Sequence, residues 1–213
     1  MKIDKKNMLL YAVTGRNLGN GMTLYEQVEL ALKGGITCLQ LRDKGVDEET
    51  TYKDALKIRD LCKEYNVPFI INDNLDLAIR CKADGVHLGQ DDMSISKARE
   101  LAGKDLIIGA SAHNVAEALE AEKNGADYLG VGAVFPTSTK ANVVKMENKI
   151  LRDIVNAVSI PVVAIGGIGE DNILKLKGTG VDGVAVVSAI FGAEDIEAEC
   201  RKLSELSKAM ISA

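Results

Sequence analysis

The chain has 213 residues, 46% of them hydrophobic and 27% charged, a balance that supports a sizeable core under a polar surface. Lys and Arg number 26 against 31 Asp and Glu, and the resulting net charge of −5 argues against general affinity for nucleic acid. No apolar run reaches the ~18 residues of a membrane span, and Met1–Asn7 leads into no signal-peptide core, so membranes are not expected partners and the cytoplasm is the expected location.

In chain order, segments of two kinds alternate. Leu9–Thr14 is a short apolar run rich in strand formers. From Thr23 to Lys33 the apolar residues Leu24, Val28, Ala31 and Leu32 mark one helix face, with Thr23 and Glu26 as a capping box and Gly34-Gly35 as the stop. The strand 36–42 follows, then a helix from about Glu48 to Tyr65 that turns Leu56, Ile58 and Leu61 inward. The same alternation gives strands at 68–72, 85–88, 106–110, 128–132, 161–165 and 181–187. Helices are expected at 75–81, 94–102, 114–124, 149–158, near Asp171–Lys177, and 194–210.

Strands alternating with helices pair in parallel, and eight such units predict a closed (β/α)8 TIM barrel of class α/β, with 1–213 a single domain. An open doubly wound sheet is the competing architecture. Glycine-bearing echoes at Gly34–Ile36, Ala83–Val86, Gly125–Asp127 and Val181–Val184 fall where a helix hands over to a strand, and read as stability features at the barrel bottom.

Cys38, Cys62, Cys81 and Cys200 lack CxxC spacing, so neither a metal cluster nor a disulfide framework is expected, and buried apolar roles are favoured over a catalytic thiol.

In this fold the reactive groups sit at the C-terminal ends of the strands. Three clusters emerge there. Arg42, Lys44 and Lys140 are cationic and suit a pyrophosphate; the alternative is a solvated loop in which Asp43 or Asp47 pairs with Arg42 and Lys44. Asp73 and Asp92, with Asn72 beside them, form a hard oxygen site suited to Mg2+; the alternative is that Asp73 or Asn74 caps the helix at Leu75. Gly166-Gly167 and Val187-Ser188, with Thr137 and Thr139, form a candidate monophosphate cradle. The loop Val134–Lys140 gathers hydroxyls and an ammonium at a strand exit, as a phosphate ester requires, although an ordinary solvated loop has the same composition. His87, inside an apolar strand, reads as a hydrogen-bonded core residue, and His113 as a candidate acid or base.

A monophosphate site and a pyrophosphate site with Mg2+ in one barrel point to a transferase that displaces pyrophosphate. The chain also resembles the thiamine-phosphate synthase family. The resemblance is carried by Gln40–Lys44, Ile71–Asp73, Gly85–Asp92, Ile108–Ser111, Gly130–Lys140 and Pro161–Ile168, in order across the whole chain. It implies joining of 4-amino-5-hydroxymethyl-2-methylpyrimidine diphosphate to 4-methyl-5-(2-phosphooxyethyl)thiazole, with Mg2+ as cofactor and these two small molecules as partners.

By position, the resemblance implies that Arg42, Lys44, Asn72 and Lys140 grip the pyrophosphate and that Asp73 and Asp92 hold the metal. Gln40 and Ser111 would face the pyrimidine, and Thr137, Thr139, Gly167, Val187 and Ser188 the thiazole phosphate. Lys140, Arg42, Lys44 and Ser111 are the expected catalytic groups. The stretches Ala141–Lys145 and Arg16–Gly21 match the family loosely, and neither is expected to touch an assigned ligand.

Rival readings are the sister thiazole tautomerases, a sugar-phosphate isomerase or epimerase, and a non-catalytic sensor of phosphorylated ligands. Nothing in the sequence fixes the oligomeric state, and a homo-oligomer is compatible with it.

Overall fold

The computed structural model describes residues 3–19, 21–137 and 146–212. Eight parallel strands close on themselves: β1 Leu10–Val13, β2 Cys38–Leu41, β3 Phe69–Asn72, β4 Gly85–Leu88, β5 Ile107–Ala112, β6 Tyr128–Gly132, β7 Val162–Ile165 and β8 Gly183–Val186, with β8 pairing back to β1. The helices are α1 Leu24–Lys33, α2 Glu48–Glu64, α3 Leu75–Arg80, α4 Ile95–Ala102, α5 Val115–Lys123, α6 Asn148–Ala157, α7 Ser188–Phe191 and α8 Ile196–Ile211. The (β/α)8 TIM barrel read from the sequence is the fold observed.

Local chemistry sets the helix ends. Thr23 Oγ1 accepts from the Glu26 N–H while the Glu26 carboxylate accepts from the Thr23 N–H, so α1 starts at the expected capping box. Asp47, Asn74, Asn114 and Asp195 cap α2, α3, α5 and α8 in the same way, each accepting a main-chain N–H three residues on.

One expected helix is corrected. The segment near Asp171–Lys177 forms only a 3-10 turn, Ile173–Leu176. Glycines crowd both sides of it, with Gly166, Gly167 and Gly169 before and Gly178 and Gly180 after. Gly178 and Gly180, with φ of +75° and +84°, turn the chain at once and end the segment after its single 3-10 turn. The short α7 after β8, not expected from the sequence, lies beside this region.

Apolar residues divide into two cores. One fills the barrel interior and includes Met8, Tyr11, Val13, Ile70, Ile107, Tyr128 and Val163. The larger one packs strands against helices and includes Val28, Leu39, Ile58, Phe69, Ile71, Leu129, Leu151 and Leu203. Such two-sided burial explains the near-continuous apolar strands.

The echoes at the barrel bottom have a common chemistry. Thr37, Asp84, Asp127 and Asp182 precede β2, β4, β6 and β8. Each accepts, through its side chain, a main-chain N–H at or near the start of the preceding strand: Leu10, Phe69, Ile108 and Val162, at 2.8–2.9 Å. Each returns its own N–H to the C=O of that same residue, at 2.7–2.9 Å. A reciprocal stitch thus joins every odd strand to the next even one.

Candidate active site

Strand ends deliver the polar residues to one mouth of the barrel. Asn72 ends β3 in register with His87 of β4, and the N–H of Asp73 donates to the His87 C=O at 2.8 Å. Asp73 has a left-handed backbone (φ +61°). Asn74, not Asp73, caps α3, which leaves the Asp73 carboxylate for other partners.

Lys44 Nζ lies 3.4 Å from Asp73 Oδ2. Asp92, beyond β4, accepts the Gly89 N–H at 2.7 Å and lies within the field of the Asp73 carboxylate. Partial loss of hydration, together with the charge of Asp73, holds the Asp92 carboxyl above its ordinary value, while Gly89 and Lys44 pull it down. Two carboxylates and an ammonium from three strand ends therefore share one corner.

The cationic side differs from the alternative raised by the sequence. Neither Asp43 nor Asp47 pairs with Arg42 or Lys44: Asp43 is taken by Arg16, and Asp47 caps α2. Among the described residues the Arg42 guanidinium makes no ion pair. Arg16, in the loosely matched stretch 16–21, touches none of the assigned ligands but grips Asp43, the residue between Arg42 and Lys44.

A polar chain crosses the barrel interior beneath this corner. Gln40 Nε2 donates to the Tyr11 hydroxyl at 2.8 Å, Tyr11 and Tyr128 share a 2.7 Å hydrogen bond, Tyr128 lies 3.0 Å from His87 Nδ1, and His87 Nε2 lies 3.1 Å from Ser111 Oγ. Burial pushes both phenols well above their ordinary values, so they stay neutral. Followed from Gln40, one sense of donation satisfies every member: Tyr11 donates to Tyr128, Tyr128 to His87 Nδ1, and His87 Nε2–H to Ser111. In that sense the Ser111 hydroxyl keeps its own proton for a ligand.

His87 is thus the hydrogen-bonded interior residue expected. Ser111 lies within β5, not past its end. Tyr11 and Tyr128 were not singled out in the sequence; the one available signal was Gly109, where a Cβ would stand 2.1 Å from the Tyr128 ring. His113 is exposed and bound to Glu117 at 2.9 Å.

Across the mouth, β6 runs on beside β7: the Val134 and Phe135 N–H groups donate to Ile165 and Gly166 at 3.0 Å. Pro136 and Thr137 are thereby carried to Gly167, where φ is +64° and a Cβ would stand 2.2 Å from the Pro136 carbonyl oxygen. Asn172 holds the glycine turn, accepting from the Gly169 N–H and donating to the Gly167 C=O.

Together with Ser188 at the start of α7 and the exposed Asp171, these residues line a cavity of about 350 Å³. Val187 is the residue before α7 and does not line it. Ser138, Thr139 and Lys140 lie outside the described residues. A larger cavity, about 600 Å³, opens at the opposite end of the barrel between Lys5, Lys208 and Asp182, away from every strand C-terminus. All four cysteines are buried and free.

Comparison with known proteins places this geometry. A family model described as thiamine monophosphate synthase matches residues 10–190. The chain belongs to the thiamine monophosphate synthase family. Among members, the thiamine-phosphate synthase of Clostridium acetobutylicum is 49% identical over 93% of this chain and 94% of its own length. That of Fusobacterium nucleatum is 47% identical over 95% and 97%. Among solved structures, thiamine phosphate pyrophosphorylase from Pyrococcus furiosus superposes with a TM-score of 0.89 at 44% identity, covering 98% of this chain and 99% of that one. Like other thiamine monophosphate synthase family enzymes, this chain is a transferase.

Proposed function

We infer that this enzyme joins 4-amino-5-hydroxymethyl-2-methylpyrimidine diphosphate to 4-methyl-5-(2-phosphooxyethyl)thiazole in the cytoplasm, releasing pyrophosphate and forming thiamine phosphate. The observation that carries the reading is the separation of two anion-suited regions at one barrel mouth. One is the corner of Lys44, Asp73 and Asp92, beside the β2 exit that carries Arg42; the other is the cavity at Gly167, Thr137 and Ser188. A tautomerase moves protons and needs a histidine acid or base. Here His87 is engaged on both ring nitrogens, which leaves it no free nitrogen for proton transfer and favours the synthase.

The donor set at the first region fits Mg2+. Two neighbouring carboxylates with no third acidic, His or Cys ligand among the described residues suit an ion that keeps waters and completes its shell with substrate phosphate. When bound, such an ion neutralises charge on the departing pyrophosphate. Asp73 and Asp92 would hold it.

The chain's own residues perform the remaining work. Arg42, Lys44, Asn72 and Lys140 hold the diphosphate, so that the C–O bond breaks with its electron pair leaving on pyrophosphate oxygen. Gln40 and Ser111, fixed by the interior chain, orient the pyrimidine, whose amino group stabilises the methylene cation. Thr137, Thr139, Gly167 and Ser188, with Val187 setting the start of α7, anchor the thiazole phosphate so that the ring nitrogen faces that carbon. The nitrogen lone pair forms the new C–N bond and no proton leaves, so no general base is required.

The test is to mix both substrates with Mg2+ and assay thiamine phosphate and pyrophosphate, omitting each component in turn. Product only from the complete mixture is expected. Its absence from the complete mixture, or its appearance without the diphosphate, defeats the reading.

A further inference from the structure

We propose that Arg16 is a positioning residue for the diphosphate clamp: it holds the turn after β2 so that Arg42 and Lys44 face the anion together. The inference rests on the reading of Arg42 and Lys44 given above.

Residues 42, 43 and 44 alternate cation, anion, cation along one short turn. The Asp43 side chain is only 2% exposed, and a carboxylate so enclosed needs a partner of opposite charge. Arg16, from the loop after β1, supplies it with two parallel bonds: Nε to Oδ1 at 2.7 Å and Nη2 to Oδ2 at 2.5 Å. The same Nη2 reaches Asp54 of α2 at 2.5 Å, and the Thr51 hydroxyl lies 3.5 Å from Asp43 Oδ2. One guanidinium therefore ties the β1 exit, the β2 exit and α2.

The main chain is held from the same side. The buried Thr14 hydroxyl accepts the Arg42 N–H at 2.8 Å and donates to the Arg42 C=O at 3.0 Å. With the Arg42 backbone bracketed and Asp43 pinned inward, the side chains on either side are left to project away. Lys44 does so, reaching Asp73, and Arg42 keeps its guanidinium unpaired among the described residues. Arg16 is not itself an anion ligand. One positive charge facing two carboxylates leaves that cluster net negative, so its effect on the diphosphate is exerted through geometry.

The test is steady-state kinetics of the full chain with each substrate varied, for Arg16→Ala, Arg16→Lys, Asp43→Asn and the double variant Arg16→Ala/Asp43→Asn, with Arg42→Ala as control. Arg16→Ala and Asp43→Asn are each expected to lower kcat/KM for the pyrimidine diphosphate by about 10²-fold, the scale of an ångström-sized misplacement. The KM for the thiazole phosphate should stay within about twofold. The double variant should be no worse than either single one, since the pair acts as a unit. Arg16→Lys should recover only part of the loss, because an ammonium lacks the fork. Should Arg16→Ala fail to fold, Arg16→Lys and Asp43→Asn, which keep side-chain size, decide the matter alone.

Folded Arg16 and Asp43 variants with wild-type diphosphate kinetics overturn the inference, as do equal losses for both substrates. If Arg42→Ala changes diphosphate kinetics and the Arg16 variants do not, only this inference fails. If Arg42→Ala also changes nothing, the clamp reading falls and takes this inference with it.

Discussion

Lys44 Nζ stands 3.4 Å from Asp73 Oδ2, so a member of the proposed clamp touches a member of the proposed metal pair. Replacing Asp73 with Asn removes a metal ligand and frees Lys44 at once, whereas Asp92→Asn removes only a ligand. Both variants should need more Mg2+ for half-maximal rate and lose about 10²-fold in turnover. A Mg2+ titration of initial rate checks this, and an unchanged midpoint in both variants counts against the metal assignment.

Lys140 is expected to face the charge that develops on pyrophosphate. Lys140→Ala should lose about 10²–10³ in kcat, the usual cost of one such electrostatic contact, while its thermal unfolding matches wild type. Wild-type turnover by that variant removes the role.

Gly167 has no room for a side chain, with φ +64° and the Pro136 carbonyl oxygen 2.2 Å from any Cβ. Gly167→Ala must push apart the loops after β6 and β7, at a cost of about 1–3 kcal/mol of strain. The KM for the thiazole phosphate should rise while that for the diphosphate stays within about twofold. Substrate-saturation curves distinguish this from a general loss of fold.

The bottom stitches predict stability without activity. Asp84→Ala leaves the Phe69 N–H without its 2.9 Å acceptor and should destabilise the fold by about 1–3 kcal/mol. The shift is read from the urea midpoint, with kcat per folded molecule unchanged. A variant of full stability but low kcat contradicts the structural role.

The thiols predict a pH effect. Burial raises all four cysteines, Cys200 to about 12 and the others upward as well. A raised folded-state value means that the neutral thiol is the form stabilised. That stability is present below the unfolded value of about 8.5 and is lost as pH rises toward the folded value. Native enzyme at pH 8 should resist iodoacetamide and unfolded enzyme take up four equivalents, and the urea midpoint should fall between pH 8 and pH 10.5. Rapid labelling of a native cysteine with loss of activity points instead to a reactive thiol.

The barrel was legible because its period is local: apolar strand, glycine turn, amphipathic helix. The residues at strand ends could be filtered out for the same reason. What escaped depends on contacts between distant segments. Tyr11 and Tyr128 sit in strands apolar on both faces, so nothing in their spacing shows that their hydroxyls meet at 2.7 Å. Arg16 and Asp43 lie 27 residues apart, in loops whose pairing follows only from the closed barrel. The segment near Asp171–Lys177 is a 3-10 turn and not the expected helix, with positive-φ glycines at 166, 167, 178 and 180 on either side of it.

Among the described residues the stitches at the barrel bottom run from odd strands to even ones, four times, and the reciprocal pattern never joins an even strand to the odd strand after it. Severing the chain between β4 and β5 would keep each such couple on one fragment. Severing it between β3 and β4 would put Phe69 and Asp84 on different pieces. Fragments cut at the first position should reassemble more readily than those cut at the second, which makes two-strand modules the natural units for splitting this enzyme.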